Sequence, residues 1–184
     1  MSVIADIAQS YRHPRQVLRK RVAGGPREDR ALVILMLACL LIFLSRWPVL
    51  ARQAASQNTD LQPLIGASLL ALVFIAPLVF YAIAGLARLI ARALGGTATG
   101  FQARMALFWA LLVATPLWLI GGLAGGLLGS GAAVNLIGAA TLAVFVIVWG
   151  AGIREVEGRS APAADLPPGP TPGPTPGPTS PTGP

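Results

Sequence analysis

Apolar positions along this chain gather into four long runs, at about residues 31–50, 64–90, 105–128 and 132–153, parted by short polar or glycine-bearing stretches. Each run is near or above the ~20 residues that a helix rising ~1.5 Å per residue needs to cross ~30 Å of hydrocarbon. The pattern predicts an all-α integral membrane bundle of four transmembrane helices, occupying residues 31–155. Ahead of it, Ile4, Ile7, Ala8 and Tyr11 recur at helical spacing, His13-Pro14 interrupts, and Val17, Leu18 and Val22 are interleaved with Arg15, Arg19, Lys20 and Arg21. Residues 2–22 are therefore expected to form one or two short amphipathic helices within a cytoplasmic, basic segment 1–30. Two roles fit: a segment lying in the membrane interface with its cations toward phosphate, or a basic flank needed only for insertion. Pro26 followed by Glu28 and Asp29 suits the first turn of a new helix, where proline loses no hydrogen bond and acids face the positive end of the dipole.

The tail departs from this pattern. Pro168-Gly169-Pro170-Thr171 recurs over 172–175 and 176–179, and a glycine at every fourth position does not suit a collagen triple helix, which needs one at every third. Residues 156–184 are expected to be a disordered, polyproline-like cytoplasmic tail.

Composition supports lipid as the solvent. Apolar residues make up 54% of the chain and charged residues 11%, against ~25% in a typical soluble domain. Of the 14 Lys and Arg, seven precede the first run (Arg12, Arg15, Arg19, Lys20, Arg21, Arg27, Arg30), three lie between the second and third (Arg88, Arg92, Arg104), and two follow the fourth (Arg154, Arg159). Only Arg46 and Arg52 fall on the opposite side. By the positive-inside rule both termini are expected in the cytoplasm, in a multi-pass protein of the inner (cytoplasmic) membrane. The apolar run begins too late for a secretory signal. The net charge of +7 arises beside membrane spans, without interleaved aromatics, so anionic lipids and not nucleic acid are the expected partner. Arg19, Lys20, Arg21, Arg88 and Arg92 are the candidate lipid-phosphate contacts.

Within the spans the informative residues are small or rigid. Pro77 and Pro116 lie near the middles of the second and third runs, where each removes a backbone donor and invites a kink, either a hinge or a static bend. Gly121, Gly125 and Gly129 recur every four residues with Gly122 and Gly126 beside them, a groove for close helix approach, either within the chain or between copies. Gly138-Ala139-Ala140 is a candidate facing surface. Chemistry-bearing groups are sparse: Cys39 and His13 are the only residues of their kinds, and away from the ends of the runs the remaining polar groups are Ser68, Thr115, Asn135 and Thr141. They form no metal-ligand or nucleophile–base pattern, so no cofactor, metal or catalytic residue is expected.

The order of features, Arg12-His13-Pro14-x-x-Val17-Leu18, a basic flank, a first span, a second span ending in the Arg-bearing segment 86–93, then Leu94-Gly95-Gly96 and Phe101 leading into a span with a central Pro116, resembles the bacterial branch of the Ypt-interacting-protein (Yip) family over about residues 10–155. The resemblance implies a non-enzymatic membrane scaffold or adaptor that organises lipids or other membrane proteins, its own copies included. A small permease or channel component is the alternative.

Overall fold

The computed structural model describes residues 3–22, 27–96 and 98–159, and among them every regular element is helical. Two short helices, α1 (Val3–Ser10) and α2 (Pro14–Val22), precede α3 (Glu28–Gln57). A second long helix is made of α4 (Leu61–Leu70), a π turn (Ala71–Ile75) and α5 (Ala76–Ala93); α6 (Gly100–Leu128) and α7 (Ala132–Arg159) are the last described elements. Four of these helices are long and apolar enough to cross a membrane: α3, the continuous Leu61–Ala93 rod, α6 and α7. The protein is a multi-pass membrane protein.

Helix ends extend beyond the apolar runs. Pro48 does not end the first span, because α3 continues to Gln57 and closes on Asn58, whose left-handed φ of 53° suits a C-cap. The polar stretch between the first two apolar runs thus holds a turn of only residues 58–60. Similarly, α7 continues past 155 to Arg159, so the helical bundle takes in the first residues assigned to the tail; residues 160–184, with the Pro-Gly repeat, lie outside the described residues. So does Gly24-Gly25-Pro26. Leu94-Gly95-Gly96 ends α5 in a reciprocal pair of bonds, Gly96 N–H to the Ala91 carbonyl (2.8 Å) and Gly95 N–H to that of Arg92 (3.1 Å), with Gly95 at φ 87°. Thr99 then opens α6 through a capping box: its hydroxyl accepts from the Gln102 N–H, and the Gln102 side chain accepts from the Thr99 N–H.

Helix α6 is the centre of the bundle: 56% of its most apolar stretch is buried, against 6% for Leu61–Ala93. It runs parallel to α3. Glu28 pairs with Arg104 near the start of both, Gly122 meets Ser45 and Gly126 meets Pro48 further along, and Arg52 reaches the carbonyls of Gly126 and Leu127 at the far end. The near-constant offset means that the two helices stay in contact along their whole shared length. Helix α7 runs antiparallel, with Gly152 against Ala106, Ile137 against Gly121 and Val134 against Gly125. Helix α5 packs more loosely, through Tyr81 against Phe108 (ring centroids 5.0 Å apart) and Arg88 beside Gly100. At one end of the bundle lie Glu28, Arg104, Arg88 and Arg154; this is referred to below as the basic end.

Candidate functional site

The most distinctive local structure is made by residues 3–22. α1 and α2 fold back on each other and pack against α6 and α7 at the side of the bundle. Val17 and Leu18, which an interfacial segment would turn toward lipid, are covered by protein, 1% and 2% exposed. The Leu18 side chain lies beside Gly152 of α7, where the absent Cβ leaves room for it. An amphipathic helix can bury its apolar stripe in protein as readily as in lipid; here the small residues Ala106 and Gly152 leave the slot.

Four side chains lock the hairpin to α6. Asp6 on α1 and Arg21 on α2 form an ion pair at 2.7 Å, the Arg21 guanidinium lies 3.8 Å from the centre of the Trp109 ring, and Trp109 Nε1 donates to the Ser10 hydroxyl at 3.0 Å. Ser10 in turn donates to the Asp6 carbonyl at 2.8 Å. Ser10 and Trp109 are almost fully buried, so each satisfies a polar group that would otherwise be stranded. Arg21 is consequently not a lipid-phosphate contact: its charge is matched by Asp6 and its face by an indole. A cavity of about 310 Å³ opens beside it, lined by Arg21, Asp29, Arg30, Ile34, Met105 and Leu112.

At the hairpin's tip the Tyr11 hydroxyl donates to the Val113 carbonyl at 2.7 Å. Pro116 has no N–H to give the carbonyl of Leu112, and the Thr115 hydroxyl supplies that bond at 2.7 Å. Helix α6 therefore passes through Pro116 unbroken. Pro77 is handled differently: the π turn over Ala71–Ile75 stands just before it and changes the hydrogen-bond register.

The remaining expected residues separate by neighbour. Arg19 and Lys20 are exposed on α2, and Arg88 and Arg92 are exposed on α5 at the basic end, all free of ion pairs to other described residues. The glycines of α6 serve two partners. A Cβ added at Gly122 would run into the Ser45 carbonyl oxygen, and one at Gly126 would meet Pro48, its backbone carbonyl carbon at 2.9 Å. Gly121 and Gly125 are less confined, with Ile137 at 3.2 Å and Val49 at 3.1 Å. The closest approach is therefore to α3, and not to Gly138-Ala139-Ala140: Gly138 has nothing within 4 Å of an added Cβ. Gly129 ends α6 at φ 77°, under the Arg52 side chain.

Asp6, Ser10 and Trp109 were not singled out by the sequence, and Tyr11 only as part of an apolar face. One signal was available: Asp6 is the only acid among the first 27 residues. In a basic segment that folds back on itself at His13-Pro14, a lone acid has arginine partners within reach. No family model, no curated protein and no solved structure matches this chain.

Proposed function

We propose that this is a non-enzymatic membrane scaffold or adaptor of the Yip type, seated in an inner (cytoplasmic) membrane with its basic end in the cytoplasm, which organises anionic lipids and neighbouring membrane proteins. The observation that carries the proposal is where the polar groups of the bundle point. Ser45, Thr115 and Thr141 donate to carbonyls of their own helices, at 2.6, 2.7 and 2.8 Å, Tyr11 donates to Val113, and Ser10 accepts from Trp109. Hydroxyls that a transport path or a reaction centre would present to a substrate here hold backbone together. The cations divide in the same way: Arg21 and Arg104 are matched by acids within the fold, and exposed Arg19, Lys20, Arg88 and Arg92 have no ion pair to another described residue and can meet lipid phosphate or acidic partners.

The permease reading has one observation on its side. The π turn borders a cavity of about 540 Å³ between α3, α5 and α6 that includes Arg46, Ser45, Phe80 and Trp118.

Proximity labelling in native membranes, from a ligase fused after Arg159, separates the two when paired with flux measurements on the purified protein in liposomes. The scaffold reading expects a reproducible set of membrane neighbours that is lost when residues 2–22 are removed, and no ion or solute flux above empty liposomes. A saturable flux that falls on substitution of Arg46 would replace it with the permease reading.

A further inference from the structure

Counting along α6 from Arg104, the Val113 carbonyl that holds Tyr11 lies about nine residues in, or roughly 13 Å by helical rise, close to the middle of a ~30 Å hydrocarbon layer. With the membrane surface at the level of Arg104, the hairpin would be re-entrant, entering from the basic end, turning near mid-membrane and returning. Its tip is charged. Arg12 and His13 are exposed there and line, with Gln9, Tyr11 and Pro116, an open cavity of about 740 Å³.

The return helix carries the charge back to the surface. Arg12, Arg15 and Arg19 are spaced by three and four residues, all are exposed, and none is ion-paired to another described residue. Helical spacing puts Arg15 and Arg19 together on the side of α2 away from buried Val17 and Leu18, with Arg12 in the turn just before that helix. Above the tip, the same face of α6 continues as Pro116, Ile120, Leu123 and Leu127, with the last three 57%, 55% and 70% exposed. That bare apolar wall is only about 16 Å long, roughly half of a bilayer's hydrocarbon thickness.

We propose that this step is a binding site for the headgroups of anionic phospholipids, drawn from the basic-end leaflet down to the hairpin tip, so that the bilayer is thinned along one face of the bundle. Three arguments converge. A wall half the normal length is matched by bringing headgroups down to it and not by exposing Arg12 to acyl chains. Phosphates are the groups that such guanidiniums bind best, since each can be met by two parallel N–H donors. Water alone would leave Arg15 and Arg19, one helical turn apart, to repel each other beside the Arg12 charge. The proposal rests on the lipid-organising part of the function proposed above, and it can fail while that function stands.

The test uses the full-length protein in nanodiscs of mixed phosphatidylglycerol and phosphatidylcholine, with retained lipid counted by native mass spectrometry and a nitroxide on Q16C in a Cys39→Ser background reporting local water. The wild type should retain phosphatidylglycerol about tenfold over phosphatidylcholine, and R12Q/R15Q/R19Q should bring the two near parity. R88Q/R92Q, at the same end of the bundle, should keep most of the preference. The Gln16 label should be accessible to a water-soluble relaxation agent and not to oxygen-rich hydrocarbon. Inorganic phosphate at millimolar concentration should not displace the retained lipid. Equal retention by wild type and the triple variant, with melting temperatures unchanged, would overturn the proposal. So would a label in dry hydrocarbon, displacement by free phosphate, or a dimer that shields the label with no lipid retained. Loss of the lipid preference in the triple variant with the labelled neighbour set intact would separate this site from the wider scaffold role.

Discussion

Tyr11 and Val113, 102 positions apart in the chain, are joined by a 2.7 Å hydrogen bond from phenol to main-chain carbonyl. The bond stands one turn before Pro116, where the helix is already one donor short. The neighbouring carbonyl, of Leu112, receives the Thr115 hydroxyl instead of an N–H. Two side chains, one from a distant hairpin and one from the preceding residue, thus complete the hydrogen bonding of α6 around its proline.

Removing either hydroxyl should therefore be felt in stability. Tyr11→Phe and Thr115→Val are each expected to cost about 1 kcal/mol, or roughly 2–4 °C in the thermal unfolding of detergent-solubilised protein. They should differ in a second measurement. Tyr11→Phe loosens the hairpin and should speed tryptic cleavage after Arg12 and Arg15, whereas Thr115→Val leaves the hairpin seated and should not. Identical proteolysis in the two variants would show that the Tyr11 bond does not hold the tip.

The Asp6–Arg21 pair should be coupled and not merely adjacent. Its side chains are 18% and 23% exposed, and the guanidinium is sandwiched between a carboxylate and the Trp109 ring. A double-mutant cycle of Asp6→Asn and Arg21→Gln is expected to give a coupling energy on the order of 1–2 kcal/mol, well above that of an exposed surface pair. Trp109→Phe should weaken the hairpin further, since it leaves the ring face but deletes the donor to Ser10. A cycle that closes near zero would mean the pair forms only after the hairpin is held by its apolar face.

The architecture was legible where the signal is local and repetitive. Four apolar runs give four helices, and His13-Pro14 marks the break between α1 and α2. The Thr99-x-x-Gln102 capping box was equally readable by spacing, although it sat inside what looked like a plain connecting loop. What stayed hidden was which surface the N-terminal helices would cover. An amphipathic stripe of Val17 and Leu18 has the same pattern whether its partner is lipid or the small residues Ala106 and Gly152, because both solvate it equally well. The same holds for the α6 glycines: a four-residue repeat shows that something approaches closely, but not whether the closest face is 121/125 or 122/126, nor that its partner is Pro48-bearing α3.

Topology can be checked directly from the helix ends. The turns at residues 58–60 and 129–131 lie at one end of the bundle, and the turn before Thr99 lies with Glu28 and Arg154 at the other. With the basic end in the cytoplasm, single cysteines at Asn58 and Ser130 in a Cys39→Ser background should label from outside intact cells. Cysteines at Thr99 and Arg154 should label only after permeabilisation. Labelling of Thr99 from outside would invert the assignment or break the four-span arrangement.

The contact between α6 and α3 offers the sharpest test, because neighbouring glycines predict opposite outcomes. An alanine at Gly122 or Gly126 would push its methyl into α3 backbone, the Ser45 carbonyl oxygen and the Pro48 carbonyl carbon respectively, and main chain cannot move aside as a side chain can. Each substitution is expected to destabilise by about 1–3 kcal/mol, seen as a lower melting temperature in detergent without a change in oligomer distribution. Gly125→Ala meets only the flexible Val49 methyl at 3.1 Å and Val134 at 3.8 Å, so its effect should be small. Gly138→Ala enters open space and should be neutral or slightly stabilising, as alanine favours the helix over glycine. The order of melting temperatures should be Gly138→Ala at or above wild type, Gly125→Ala close below it, and Gly122→Ala and Gly126→Ala lowest. If Gly138→Ala or Gly125→Ala were instead the damaging change, and monomer appeared at the expense of a larger species, the small-residue surface would be a contact between copies, and the close packing of α6 on α3 would have to be given up.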